Sequence, residues 1–407
     1  MNTKKVALVK KMRLIIVGDN KEEVNDKYKF IRDSQYAQYQ GLNTAMGILG
    51  SAYLLSGRDI KSEIFKEAQK SLTNSNPLFK DIEFGRGIDT PSAITQRAKK
   101  DFSTTLKNGL AKGERSITNY KRDYPLLTRG RSLKFYYDND DVLIKWVNGV
   151  VFKVVTGNNP AKNMELKHTL HKIIVGQYKL GESSLYFDKN NHLMLNTNLS
   201  FEKELEPDFI EGRTLGVDLG IAIPAYCCLS DDTYIRKGFG SAEDFIRVRE
   251  QFKKRRQSLQ RKLTLTNGGK GRKKKLKAME QFKDKERNFA KTYNHQLSHK
   301  VVKFAKDNKC QYINLEKLTK EGFDDKILGM WSYYELQNMI KYKADREGIE
   351  VRFINPAYTS QKCHKCGHTH RDNRKTQSQF ECVECGTKLN ADHNASINIA
   401  RSTEYLK

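Results

Sequence analysis

Hydrophobic positions along this chain change period several times, and each change predicts a change of element. Residues 5–17 carry Val6, Leu8, Leu14, Ile15, Ile16 and Val17 around a basic cluster and predict a first strand. From about 22 to 112 the spacing turns helical. Leu42, Ala45, Met46, Leu49, Ala52 and Tyr53 recur at the i, i+3, i+4, i+7 intervals that place side chains on one buried helix face. Strand patterning returns between 115 and 200, at 133–137, 150–155 and 192–195, separated by Asn, Asp and Gly turns. The polar segment 202–212, with Pro207, predicts a domain boundary.

Beyond the boundary, short strands are expected at 214–220, 222–229 and 234–238, joined tightly enough to form an antiparallel meander. A helical stretch over 241–307 is broken by Gly268, Gly269 and Gly271, which predicts a helical hairpin. A strand at 310–315, a helix from Ser332 to Glu347, a strand at 349–354 and a final helix from about Ala391 complete the order βββαβαβα. No internal repeat stands out.

Composition narrows what such a chain can do. Its 407 residues suffice for two to four compact units. Lys and Arg number 74 against 48 Asp and Glu, a formal net charge of +26. A charge of that size asks for a polyanionic partner, and nucleic acid answers it, because cations on phosphates release condensed counterions. No apolar run approaches the roughly 18 residues of a membrane span. The N-terminal apolar stretch is interrupted by Lys10, Lys11 and Arg13 and has no small-residue cleavage site, so no signal peptide is expected and the expected location is the cytoplasm.

The charge is densest between Arg247 and Lys277, where 14 Lys or Arg accompany one acid, Glu250. A solvated hairpin is the ordinary reading of a charge run. Phosphates nearby explain it better, since so many like charges repel one another without counterions. Lys253, Lys254, Arg255, Arg256, Arg272, Lys273, Lys274 and Lys275 are the candidate nucleic-acid contacts in this block. In the first half, Lys121 and Arg122 join them. They lie close to Arg32 and to Tyr36, Tyr39, Tyr120 and Tyr124, a mixture suited to stacking on bases and gripping phosphates, with half of these tyrosines equally accounted for as core. Arg371, Arg374 and Arg401 are candidates for contact with a scissile phosphate.

Three acids occupy places where a charge is costly without a partner: Asp218 in a strand, Glu316 at the end of another, and Asp392 at the start of the last helix. Singly, each is also explained as a turn residue, a strand-end charge or a helix cap. Together they suit two Mg²⁺ ions, with Mn²⁺ as an alternative, held for phosphodiester hydrolysis. Cys363, Cys366, Cys382 and Cys385 form two CxxC pairs with 15 residues between them, the spacing of a structural Cys₄ zinc site. His364, His368, His370 and His393 nearby are read as surface or phosphate-contacting residues, and Cys227, Cys228 and Cys310 as small core residues.

GVDLG at 216–220, NLEKL at 314–318, TSQKCHKCG at 359–367 and FECVECGTKLNADHNASINIA at 380–400 resemble the RuvC motifs and zinc ribbon of type V CRISPR effectors and transposon-encoded TnpB nucleases. With SITNYKRDYPL at 116–126, the chain looks most like the miniature type V-F effectors. The resemblance implies a multidomain α+β protein. Its parts would be a wedge-like β-barrel (1–20 and 113–205) carrying a helical recognition domain (21–112), a linker (206–212), and an RNase H-like RuvC domain (213–358 and 390–407) with an inserted Cys₄ zinc ribbon (359–389). It implies catalysis by Asp218, Glu316 and Asp392, guidance by RNA pairing with one strand of duplex DNA beside a short flanking motif, and a homodimer on one guide RNA. The apolar 42–53 helix face is where contact between copies is expected. A monomeric TnpB-type nuclease, a non-cleaving binder and a transposase remain as alternatives.

Overall fold

The computed structural model describes residues 2–73, 76–80, 82, 91–157, 160–205, 208–220, 223–266, 268–318 and 333–406; Pro207, Ala222 and Ser332 of the expectations above lie outside them. The chain forms two compact units, one of residues 5–203 and one of residues 1–4 with 204–407.

Strand β1 (Asn2–Val17) is longer than its apolar pattern suggested: Lys5, Lys11 and Arg13 face outward, while Val6, Met12, Leu14 and Ile16 are buried on the other face, which Lys4 and Lys10 share half-buried. Helix α1 (Lys21–Leu55) starts at Asn20, whose side-chain oxygen accepts from Glu23 N at 2.8 Å. Helices α2 (Glu63–Ser71) and α3 (Pro91–Thr105) follow. Phe65, Ile94 and Phe102 from these two helices share a core with Leu42, Ala45, Met46, Leu49 and Tyr53. The Leu42, Ala45, Met46, Leu49 and Tyr53 face is therefore filled from within its own unit, while Leu54 and Leu55 at the end of the same helix are exposed. Tyr120 belongs to the same core and donates its hydroxyl to Asp101 at 2.8 Å, which removes it from the candidate base-stacking residues.

The rest of this unit is an eight-stranded sheet. Its strands are β2 (Leu126–Thr128), β3 (Lys134–Asp138), β4 (Asp141–Lys145) and β5 (Val151–Val155), then, after helix α4 (Pro160–Ile174), β6 (Lys179–Leu180), β7 (Ser183–Phe187) and β8 (Leu193–Leu205). The order is β2-β7-β8-β1-β5-β4-β3, with β6 paired to β8. Ile16 pairs with Phe152 across β1 and β5, and both are buried with Ile144 and Trp146. Helix α4 falls in a span expected to hold only strands. Its Leu166, Leu170, Ile173 and Ile174 do follow a helical interval and pack on the sheet, but they alternate with His and Lys densely enough to mask it.

The second unit is built on a five-stranded sheet of order β11-β10-β9-β12-β13. Strand β9 (Ile210–Asp218) absorbs residues 210–212, expected in the linker, through its pairing with the neighbouring strand. It pairs antiparallel with β10 (Ala225–Leu229), which pairs antiparallel with β11 (Arg236–Phe239). Helices α5 (Ala242–Thr264) and α6 (Gly269–Asp307) form the hairpin. Its turn uses Gly268 and Gly269 at φ 74° and 71°, where a side chain would be strained. Strands β12 (Cys310–Glu316) and β13 (Glu350–Ile354) are parallel to each other, β12 is also parallel to β9, and helix α7 (Tyr333–Arg346) lies between them in sequence. The hairpin of β14 (Gln379–Glu381) and β15 (Lys388–Asn390) leads into α8 (Ala391–Arg401).

Leu215, Val217, Val301, Leu315, Leu336 and Ile340 form the centre of this core, and Cys227, Cys228 and Cys310 are buried. No helix among the described residues is long and apolar enough to cross a membrane.

Candidate active site and cysteine cluster

Two parallel strands run side by side here, and both end in an acid. Leu315 of β12 stands opposite Val217 of β9, so the next residues along, Glu316 and Asp218, reach the same C-terminal edge of the sheet. That edge is where open sheets with parallel strands carry ligands. Helix α8 supplies Asp392 in its first turn, after the cap in which Asn390 Oδ1 accepts from His393 N at 3.1 Å.

Close approach of α8 to the sheet is possible because residue 216 is glycine. A Cβ there would meet Ser396 O at 2.1 Å and Ala400 N at 2.4 Å. At the far end of α8, Asn314 Nδ2 donates to Ile399 O at 2.9 Å, and more weakly to the carbonyls of Ala400 and Ser402.

Glu316 and Asp392 are buried and Asp218 half-buried. Burial, then the Glu316 and Asp392 charges, push the Asp218 carboxyl well above its ordinary range. Burial also raises Glu316 and Asp392. Arg374 opposes the rise at all three. Of the three arginines considered from sequence, Arg374 thus faces the acids, whereas Arg401 donates to Ser230 O at 3.1 Å. The electrostatic coupling of Asp218 to both other acids brings the three together, and carboxylate oxygens are the donors that hard divalent cations prefer.

Several supporting residues were not singled out from sequence. The Thr359 hydroxyl donates to Glu316 Oε1. Gln337 Nε2 donates to the Glu316 carbonyl at 2.5 Å, and the Tyr333 hydroxyl to the Gly220 carbonyl at 3.1 Å. Thr359, Gly216 and Asn314 all lie within the quoted motif segments, the one signal by which the sequence could have pointed to them.

The four cysteine sulfurs lie within 4.8 Å of one another, with Cys363 to Cys385 at 3.7 Å and Cys366 to Cys382 at 3.6 Å. Four sulfurs at about 2.3 Å from one tetrahedral ion stand about 3.8 Å apart, so the set fits zinc. The two halves repeat one turn. Cys363 N and Cys382 N donate to the carbonyls of His368 and Thr387, and Gly367 N and Gly386 N return to Cys363 O and Cys382 O, all at 2.9 Å. Gly367 and Gly386 sit at φ 78° and 67°, which explains the glycine after each CxxC.

Asn394 and Asn398 fasten the cluster to α8 by donating to Lys362 O at 2.8 and 2.7 Å. His393 is not the surface residue expected. It is buried, its Nδ1 accepts from Arg236 Nη1 at 2.8 Å, and its Nε2 donates to Thr233 O at 3.0 Å, which defines a neutral ring. Burial, then Arg236, lowers its pKa accordingly.

The basic block is divided in its roles. Lys253, Lys254, Arg255, Lys273 and Lys274 are exposed. Arg256 pairs with Glu286 at 3.1 Å, beside Arg249 at 3.0 Å. Arg272 donates to Thr266 O at 3.1 Å and Lys275 to Lys262 O at 3.0 Å, where both close the end of α5. Lys121 and Arg122 are exposed, and the Arg122 guanidinium lies 4.5 Å over the exposed ring of Tyr36.

The family model that matches is the Cas12f1-like TNB domain, over residues 333–399. The chain is 33% identical over 331 residues to the CRISPR-associated endodeoxyribonuclease Cas12f1 of Sulfoacidibacillus thermotolerans, covering 76% of this chain and 75% of that protein. It is 26% identical over 329 residues to the putative RNA-guided DNA endonuclease InsQ of Escherichia coli (strain K12), covering 76% of this chain and 74% of that one. In fold it is similar to the protein of a Cas12f1–sgRNA–target DNA complex, with a TM-score of 0.73 at 16% identity, over 97% of this chain and 99% of that one.

Proposed function

The chain belongs to the Cas12f1 family, the miniature type V-F RNA-guided nucleases of the TnpB and RuvC superfamily, and on that premise we propose that it cuts DNA at the Asp218, Glu316 and Asp392 centre. The observation that carries this reading is the convergence of three acids from β9, β12 and α8 on one sheet edge, two of them buried and each raised in pKa by burial. In this role the second unit is an RNase H-like nuclease domain, the cysteine hairpin a zinc ribbon bracing it, and the eight-stranded sheet a wedge-like barrel.

Asp218, Glu316 and Asp392 would hold two Mg²⁺ ions. When bound, these ions activate a water and stabilise the leaving oxygen of a phosphodiester. The chain's own part is to hold the carboxylates in fixed directions and to meet the phosphate with Arg374. Lys253, Lys254, Arg255, Lys273 and Lys274 offer phosphate contacts on the hairpin, and Lys121 and Arg122 beside Tyr36 offer a mixed stacking and phosphate surface. Guide RNA would supply sequence recognition by pairing, with an R-loop opened beside a short flanking motif and two copies of the chain on one guide in the cytoplasm.

The likeness to InsQ keeps a second arrangement in view, one chain on a transposon-end RNA. The test is to purify the protein from cells carrying its native locus, sequence the RNA that comes with it and measure the particle's mass by light scattering. A repeat-derived RNA with a variable spacer and two protein chains supports the first reading. A transposon-end RNA with one chain supports the second, and a particle without RNA overturns both.

A further inference from the structure

We propose that Thr359 is a positioning residue for Glu316, through which the loop leading into the cysteine hairpin fixes the direction of a metal-binding carboxylate. The inference rests on the reading of Glu316 as a metal ligand. Its own support is geometric.

Residues 355–362 leave the end of β13 and reach the first cysteine in a turn held at almost every residue. Ala357 N donates to Asn355 Oδ1 at 3.1 Å. Gln361 N and Lys362 N both donate to Tyr358 O at 2.9 Å. Asn398 Nδ2 donates to Thr359 O at 2.9 Å, and Asn373 Nδ2, from inside the hairpin, to Gln361 O at 2.9 Å. Tyr358 stands at φ 64°, a conformation that a bulky residue adopts only where its surroundings impose it, and its ring is exposed, so no core contact of its own accounts for the strain.

The outcome of all this fixation is the direction of one side chain. Thr359 turns its hydroxyl inward to Glu316 Oε1, with the Pro356 carbonyl at 3.2 Å as the second and longer acceptor for the same proton. The hydroxyl carries a single proton, so donation to Oε1 leaves the remaining lone pairs of Oε1 and the whole of Oε2 for a cation. Partners of this kind, which orient a metal-binding group without touching the ion, usually matter by about 10–100-fold in metal affinity.

The test compares the full-length protein with its Thr359→Val and Thr359→Ser variants, each as the guide-RNA complex. Mn²⁺ binding is titrated by electron paramagnetic resonance in the absence of DNA, single-turnover cleavage is followed against Mg²⁺ concentration, and zinc content and target binding are recorded beside them. Thr359→Val, which keeps shape and loses the donor, should weaken Mn²⁺ binding by about tenfold and shift the Mg²⁺ dependence to match, with target binding unchanged. Thr359→Ser should restore both to within about threefold. Should the valine variant fail to hold zinc, Thr359→Ala is read in its place. Wild-type Mn²⁺ affinity in the valine or alanine variant overturns the proposal, as does a serine variant as weak as valine. Glu316→Gln separates the two levels of inference. If it too binds Mn²⁺ like the parent, the reading of Glu316 as a ligand has failed; if it alone is impaired, only the role of Thr359 has.

Discussion

Replacing Gly216 with alanine puts one methyl group between β9 and α8, and the structure lets the consequence be worked through. The new Cβ would lie 2.1 Å from Ser396 O, 2.4 Å from Ala400 N and 2.8 Å from Ala400 Cα. All three are backbone atoms of a helix and cannot swing aside as a side chain would. Ordinary contact begins at 3.4 Å, so α8 would have to recede by about 1.3 Å. A forced separation of packed elements costs about 3 kcal/mol at the upper end of the usual range, or roughly 6–12 °C in Tm for a unit of this size.

The functional loss should be larger than the stability loss suggests. Asp218 is two residues beyond Gly216 on the strand, and Asp392 rides on the helix that moves. A displacement of about 1 Å in a reacting geometry can cost about 10²-fold in rate. Thermal unfolding of Gly216→Ala and single-turnover cleavage of a guide-matched duplex measure the two effects, with target binding as the control. Parental Tm and rate together would refute the close-approach argument. A lowered Tm with parental cleavage would show that the helix yields without moving Asp392.

Three further outcomes are expected. Asp218→Ala should abolish cleavage and leave guide-dependent DNA binding largely intact, measured by gel shift beside a nicking assay, because it removes a metal ligand and no phosphate grip. Cys366→Ser should lower zinc content and the yield of folded protein, and a variant retaining one zinc per chain with normal yield would remove Cys366 from the site. Neutralising Lys273 and Lys274 together should weaken nucleic-acid binding and lower its salt slope by nearly one unit for each phosphate no longer neutralised; an unchanged slope would return the hairpin to a merely solvated face.

How much of this was open to a reader of the sequence depends on how far apart the interacting residues are. The cysteine set was legible because its spacing is itself the signal, and the succession of strands and helices along the second unit because each strand carries its own apolar run. The acids were legible for a physical reason too: a charge set in apolar sequence is costly, so it advertises a partner. Side-chain partnerships across the fold were not. Arg256 is one cation among 14 in sequence, and only the packing of α5 on α6 shows it committed to Glu286. Tyr120 and His393 carry polar atoms that suggested surface roles, and both satisfy those atoms inside the fold. Thr359 is 43 residues from Glu316, with the whole of α7 and β13 between them.

The same distances explain why the centre is built as it is. The raised pKa of Asp218 records burial first, and then the repulsion stored by setting it beside Glu316 and Asp392. A flexible scaffold would release that repulsion by letting the acids drift apart. Here the two parallel strands share a hydrogen-bonded register up to Leu315 and Val217, Gly216 lets α8 sit against the sheet, and Asn314 clamps the far end of that helix. Asn314 Oδ1 is itself buried without a hydrogen-bond partner, a penalty of about 1–3 kcal/mol that the rest of the core must offset. The acids are therefore held close, and their charge is relieved by protonation, as the raised pKa values record, or, on the proposed reading, by a cation; Arg374 already opposes the rise at all three. On the proposed reading, a centre held in this way is arranged before metal and phosphate arrive, so their binding energy would not be consumed in assembling it.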